Sequence, residues 1–425
     1  MNYTYDANFR LQQVTDVNGG ITQYTYDDSS RMLTIRDPRN IVYLTNEYDV
    51  NGRVSKQTQA DTGFYQFAYT LDGNGNVTQT DLTDPRGNVR RATFSSTGYT
   101  LTDTYALNKP EQQTYTYSRQ AGTNFIASVT DPLGRNVALT YDAQGNVASI
   151  TQLAGTQSAV ATSFTYEPTF NQLATITDSL NHTATLAHDA NGNLTSMTDP
   201  ANNLTTFTYN SSGQVLTATD PLQHITQFTY GSGDLVSITD PLNRTTSRFI
   251  DAAGRLSRAT NPLGAATRYG YNSLNQVTQK TDPLDGSTSF TYDSNGNLLS
   301  VTDAKNNVTS YVYNNIDRVV TRRDPLLHDE TYQYDLNGNA KQKTDRKGQV
   351  TNYSYDALNR LTQVTYADTS TTSYTYDSGN RLTQSVDSVS GTITYVYDNL
   401  DRMISETTSQ GSVSYTYDAG GRCTI

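Results

Sequence analysis

The side chains that could do chemistry in this 425-residue chain are few and scattered. Of four histidines, His182 and His188 lie six positions apart, while His224 and His328 stand alone in turn-like stretches. A zinc site needs three or four converging ligands, and His188 occupies a position that most equivalent segments fill with tyrosine, so it reads as one amphipathic ring replacing another. Segments such as Asp189-Ala190-Asn191-Gly192-Asn193 are oxygen-rich like a calcium loop. Their glycine comes one position too early and no distal glutamate closes the loop, so they read as turns. Two aspartates could act as acid and base on a glycoside, but aspartate recurs at a fixed interval and any choice of two is arbitrary. No Gly-x-Ser-x-Gly, phosphate loop, dinucleotide fingerprint or His-Glu-x-x-His occurs. Cys423 is the single cysteine and cannot form an internal disulfide. The expectation is no catalytic residue, no metal site, no cofactor and no enzyme.

The recurrence of aspartate belongs to a larger pattern. Alignment on the tyrosine of Tyr-Asp gives twenty anchors, seventeen of them Tyr, including Tyr209, Tyr230, Tyr292, Tyr313, Tyr334, Tyr355, Tyr376 and Tyr397. From His188 to Tyr417 the step is 20 or 21 residues, and between Tyr69 and His188 it stretches to between 22 and 25. A fixed period of this size marks a repeat architecture. The organisation expected is one array over 1–425, irregular over 69–188 and regular over 188–425.

Each repeat has a physical reading. In fifteen units an aromatic residue stands two positions before the anchor, as in Phe207/Tyr209 and Phe290/Tyr292. That spacing puts both rings on one face of a strand, with Thr or Val between them on the other. A turn follows, as in Asp189 to Gly192, Asp293 to Gly296 and Asp335 to Gly338. Aspartate suits its first position and glycine, three residues on, tolerates positive φ. The chain runs back and meets a second turn of Asp-Pro type, which holds nine of the eleven prolines, among them Pro200, Pro221, Pro241 and Pro283. Proline presets φ there and cannot continue a ladder. Two turns per repeat imply two strands, hence an all-β meander of roughly forty strands, on the order of 190 Å along its hydrogen-bonding direction. Such a sheet must twist into a superhelix or the wall of a hollow body. Leu298 and Val301, three apart in a return strand, share a face only if a bulge follows the turn.

Composition narrows the function. With 35% hydrophobic residues, no Trp and 32 Tyr, burial must rest on tyrosine rings and scattered aliphatics. A net charge of −11 without a basic stripe argues against nucleic acid. No apolar run approaches the roughly 18 residues of a membrane span. The start Met1-Asn2-Tyr3-Thr4-Tyr5-Asp6 lacks the basic and apolar regions of a signal peptide, so any export signal is expected outside this chain.

The unit Tyr-Asp-x-x-Gly-Asn-Leu-x-x-x-Thr-Asp-Pro is best preserved at 188–200 and 292–303, where Ala304 replaces the proline. It resembles the YD repeat of the RHS family, which includes bacterial Rhs polymorphic toxins, Tc toxin shell subunits, wall-associated repeat proteins and teneurins. The resemblance covers essentially the whole chain. It implies tandem YD-repeat hairpins in one long twisted antiparallel sheet, coiled into a hollow shell that in the toxins encloses an effector. Toxin-sequestering members carry a core protease and a toxin after the repeats. This chain stops at Gly421-Arg422-Cys423-Thr424-Ile425, just past an anchor, so the expectation is a piece of a larger protein or ends that meet a partner.

Two functions stay open. One is shell wall of an Rhs or Tc-like toxin, its partners the rest of a parent protein or an encapsulated polypeptide effector. The other is a secreted or cell-surface adhesin or filament, bacterial in origin, binding glycans through tyrosine faces or associating head to tail. The units lacking the aromatic pair, with Asn46, Ala92, Leu139, Leu186 and Arg248 at that position, and the overlong units are expected as repeat decay or as loops that carry recognition.

Overall fold

The structure, a computed structural model, describes residues 1–418 and 420–424. Thirty-nine strands run from Asn2–Tyr5 to Gly411–Ser414, and no helix occurs among the described residues. All belong to one antiparallel sheet. The recorded ladders join strands that follow one another in sequence: Ser287–Tyr292 pairs with Leu298–Thr302, which pairs in turn with Val308–Tyr313. A meander of this kind follows from turns too short to allow any other connection.

The two faces of the sheet differ as the two-residue period requires. Along Ile225–Gly231, Thr226, Phe228 and Tyr230 are half-buried, and Ile225, Gln227 and Thr229 are exposed. The residue before the anchor faces solvent, and there a hydroxyl ladder crosses the hairpin: Thr208 to Thr217 at 2.7 Å, Thr291 to Ser300 at 2.6 Å, Thr25 to Thr34 at 2.6 Å. Threonine therefore serves twice, through its β-branch and through this cross-strand pair. The core is thin. Only Ala106, Leu153 and Val364 are buried hydrophobics among the described residues, and none of these has lost all solvent contact.

The expected bulge is present. Thr291 pairs with Ser300 but Tyr292 pairs with Leu298, so Leu299 is the extra residue and Leu298 and Val301 return to the aromatic face. The same step recurs at Thr208/Tyr209, Gln333/Tyr334 and Ser354/Tyr355. The turns close as their chemistry demands. Gly192, Gly296 and Gly338 have φ of 82°, 92° and 94°. Asn359 and Asn380 take the same left-handed conformation without glycine, as asparagine does more readily than other side chains.

Two expectations about the irregular region need correction. Tyr69 and Tyr117 do not open turns. The register steps at Thr70/Leu71 and at Ser118/Arg119, and the turns begin at Asp72 and Gln120. Each hairpin is longer by two residues on its outgoing strand. An even increment keeps every side chain on its original face, so the repeat tolerates it.

The chain forms two compact units. The first contains Met1–Gly134, Asn272–Gln276 and Thr288–Ser414. The second contains Arg135–Tyr271, Val277–Ser287 and Tyr415–Ile425. Inside the first unit, turns from the beginning of the sequence meet turns from its last third, which local pairing alone cannot bring about.

Candidate functional site

The repeated Tyr-Asp unit is the place where side chains converge, and what they do is hold backbone. The Tyr209 hydroxyl donates to the Leu194 carbonyl at 2.8 Å, fifteen residues back in the preceding hairpin. Tyr313, Tyr334, Tyr355, Tyr376 and Tyr397 repeat the bond to Leu298, Val319, Ala340, Leu361 and Leu382 at 2.7 to 3.0 Å. Each acceptor is the first residue of a return strand, beside the bulge that interrupts the ladder, so the phenol satisfies a carbonyl where regular pairing fails. The extra residue of the bulge adds a second such bond, as when the Thr195 hydroxyl donates to the Ala187 carbonyl at 3.1 Å. Tyr230 and Tyr292 stand at the same register step, opposite Leu235 and Leu298. Burial, with the charge of Asp189 nearby, raises the Tyr209 phenol above its ordinary value.

The aspartates are clamps as well. Asp189 accepts from the backbone N–H of Asn191 at 2.8 Å and of Asn193 at 2.9 Å, and from the Asn193 side-chain amide at 2.9 Å. Asp293 and Asp335 do the same with Asn295/Asn297 and Asn337/Asn339. These bonds favour the ionised form, led by the Asn193 amide at Asp189, and hold that carboxyl below its ordinary value. The Asp-Pro turns at Pro200, Pro221, Pro241 and Pro283 use the same clamp, from Asp199, Asp220, Asp240 and Asp282.

Sequence reading missed the residue four positions after the aspartate. Where it is arginine in a Tyr-Asp turn, as at Arg31 and Arg360, the guanidinium pairs with the carboxylate and lies over the next anchor ring: Arg31 is 2.7 Å from Asp27 and 4.8 Å from the centre of Tyr48, and Arg360 is 2.6 Å from Asp356 and 4.7 Å from Tyr376. Cation–π contacts of this kind contribute about 0.5–2 kcal/mol. The signal was present in the sequence as Asp-x-x-x-Arg or Asp-x-x-x-Asn. It also explains the isolated histidines. His182, His224 and His328 occupy this fourth position and approach Asp178, Asp220 and Asp324 at 3.0, 3.0 and 3.5 Å, so each is a turn residue with a partner rather than a free loop side chain. His188 sits at a register step opposite Leu194. Among the described residues no group of three His, Cys, Asp or Glu could hold a metal ion. Cys423 is exposed with a free thiol.

A second arrangement joins distant parts of the first unit through turns. Arg39, in the turn Asp37-Pro38-Arg39-Asn40, donates to the carbonyls of Asn314 and Asn315 and pairs with Asp317 at 2.9 Å. Arg86, in Asp84-Pro85-Arg86-Gly87, donates to the carbonyls of Tyr355 and Asp356 and to the Asn359 side chain. The Asn337 amide donates to Asp84, the Asn295 amide to Asp37, and Gln113 and Asn380 exchange amide bonds at 2.7 and 3.0 Å. Leu133, after Asp131-Pro132, lies where a side chain on Gly379 would have to be: a Cβ there would fall 2.6 Å from the Leu133 Cδ1. In every case the second turn of an early repeat, or for Gln113 the first strand residue after it, meets the Tyr-Asp turn of a repeat roughly 245–280 positions later. One long edge of the ribbon is docked on the opposite edge of its own later course.

The RHS repeat family model matches residues 5–41, 122–157, 168–204, 188–225, 251–288, 292–326, 334–371, 360–393 and 376–413, which together make up well over half of the chain. No curated protein matches the sequence. Among solved structures, a TcdB2–TccC3–Cdc42 crystal structure is similar over 99% of this chain and 33% of its own, with a TM-score of 0.66 at 14% identity. A TcdB2–TccC3 crystal structure covers 99% and 31%, with a TM-score of 0.65 at 15% identity. A Photorhabdus luminescens Tc holotoxin pore covers 99% and 27%, with a TM-score of 0.60 at 15% identity. The chain thus spans about a third of the length of the first of these, and at such identities the likeness is one of fold. The repeat-model matches, the hairpin meander and the recurring Tyr-Asp clamp agree: the chain belongs to the RHS-repeat family.

Proposed function

We propose that this chain is wall: a segment of the shell of an Rhs or Tc-like toxin protein, which would enclose a polypeptide effector and has no catalysis of its own. The observation that carries the reading is the edge-to-edge docking in the first unit, where Arg39, Arg86 and Leu133 seal one course of the ribbon onto a later one. A ribbon that only displayed its faces would not need this seal, and a container does. The fold likeness to structures of TcdB2–TccC3 supports it. The same reading puts the protein outside the cell or on a bacterial surface, in a larger parent assembly. Electron microscopy of the purified chain tests the wall, with curved, partly wound particles enclosing a lumen as the expected outcome. Straight threads one ribbon wide would overturn it. A polypeptide fused after Ile425 tests enclosure, and its digestion by added protease at the rate of the free polypeptide would count against that part.

Glycan recognition is a second reading, favoured by one observation. A cavity of about 590 Å³ in the first unit is lined by Tyr105, Tyr115, Tyr117 and Tyr376 with Arg360, Gln113 and Asn380. Aromatic rings with polar neighbours suit the apolar faces of sugars. A glycan array without a binder removes this reading.

A further inference from the structure

A row of leucines on the second unit repeats one half of an interface that the chain elsewhere shows complete. Leu133 and Leu180 hold the third position of their second-type turns, and each packs against the glycine at the third position of a Tyr-Asp turn. Leu133 meets Gly379 within the first unit, and Leu180 meets Gly420 within the second, where a Cβ on the glycine would come 3.2 Å from the leucine Cδ1. The next second-type turn carries Ala201 at this position, and the four after it carry Leu222, Leu242, Leu263 and Leu284, following Pro221, Pro241, Pro262 and Pro283. These four are 75, 71, 92 and 92% exposed, against 37% for Leu180. Such exposure of aliphatic side chains, repeated along one edge, marks a surface built for contact.

We propose that this row docks a second copy of the chain through its Tyr-Asp-turn edge. Three observations favour that occupant. The row lies on the edge that Leu180 already uses, resuming after the one turn at which Ala201 stands. The complementary edge is carried by the same chain: the Tyr-Asp turns 210–213 and 251–254 present Ser212 and Ala253, both exposed, at the third position that Gly379 and Gly420 fill in the complete pairs, and each adds one Cβ to which the flexible end of a facing leucine has to yield. Two strands per repeat at ~4.8 Å spacing give both edges the same period of about 10 Å, so leucines two repeats apart, such as Leu222 and Leu263, meet the turns of Ser212 and Ala253 in register, with the short Gly231–Asp234 connection between them. The contact is heterologous, leucine edge on Tyr-Asp-turn edge, and therefore adds copies in one direction. The proposal does not depend on the chain enclosing anything, and it holds equally for a glycan-binding ribbon.

Sedimentation of the 425-residue chain across a concentration series tests it. The weight-average mass should rise with concentration for the wild type. Leu242→Asp with Leu263→Asp should leave a monomer, with the apparent dissociation constant raised at least about tenfold. Ser212→Arg with Ala253→Arg should do the same from the other edge. Because the leucines are so exposed, the first pair should leave the thermal melt unchanged, and Val312→Thr, on the outer face of a strand, should leave association unchanged. An equimolar mixture of the two double variants keeps one intact edge of each kind, so it should form a 1:1 dimer that grows no further. A wild type that stays monomeric at every concentration overturns the proposal, as does association that survives both double variants or a mixture that remains monomeric.

Discussion

Tyrosine is the residue on which the repeat turns, and its hydroxyl matters as much as its ring. Phenylalanine keeps the ring, so Tyr209→Phe isolates the bond to the Leu194 carbonyl. Removing it should cost about 1 kcal/mol, the usual net contribution of one such bond, because the carbonyl beside the bulge is left without its donor. One residue away, Thr208→Val breaks only the solvent-facing hydroxyl pair with Thr217 and should change stability by less than about 0.5 kcal/mol. Hydrogen exchange of the strands Leu194–Thr198 and Leu204–Tyr209 would separate the two, since local opening reads individual hairpins where a global melt averages over them. Equal exchange in both variants would show that the hydroxyl is incidental. The ring positions were legible in the sequence because a spacing of two is a local signal. The hydroxyl's acceptor was not, because it belongs to the preceding hairpin, fifteen residues back, beyond the reach of a local spacing.

At the scale of the hairpin, the bulge decides which of two adjacent leucines is structural. Leu298 pairs with Tyr292 on the aromatic face, whereas Leu299 is the inserted residue and 37% exposed. Leu298→Ser should therefore destabilise its hairpin by about 1–2 kcal/mol, part of the usual cost for a fully buried leucine. Leu299→Ser should be neutral within about 0.5 kcal/mol. Proteolytic susceptibility of the 293–297 turn would report the difference, and the reverse order would mean that the register has been misplaced by one residue. Sequence reasoning reached the strands, both turns and this bulge because each follows from nearest-neighbour chemistry. It misjudged the turns after Tyr69 and Tyr117 by aligning on the ring, although Asp72-Gly73-Asn74-Gly75-Asn76 already spelled the turn two residues further on. The docked edges were out of reach for a different reason. Arg39 and Leu133 look alike in sequence as third-position turn residues, and what each one meets lies some 250 residues away.

Across the whole molecule the clamps are multiplied, and their protonation should set the limits of stability. Asp27, Asp189, Asp199, Asp240, Asp251 and Asp303 are all held below the ordinary carboxylate value of 3.8 by hydrogen bonds to the residue four positions on. The folded chain thus binds fewer protons than the unfolded one in acid. Their contribution is complete above about pH 4 and is lost as pH falls through the depressed values. The anchor phenols mirror this. Burial raises Tyr209, Tyr313, Tyr334, Tyr355, Tyr376 and Tyr397 above 10, and Tyr332, buried beside Glu330, is pushed up to about 12. A raised phenol is worth most below pH 10, and its contribution disappears as pH climbs through the folded value. The melting temperature should therefore hold a plateau from about pH 5 to 9 and fall on both sides, between 4 and 2 and again above 10. Tyr332→Phe, which cannot ionise, should make the alkaline fall shallower, and because the Tyr332 hydroxyl donates to Glu330 and holds that carboxyl down, it should also remove a small part of the acid fall. Because each repeat is stabilised mainly by its neighbours, loss of many small clamps at once should unravel the array over a narrow span of pH. Thermal melts followed by circular dichroism would show it, and a melting temperature that stayed flat down to pH 2 would mean that the carboxylate clamps contribute nothing to the fold.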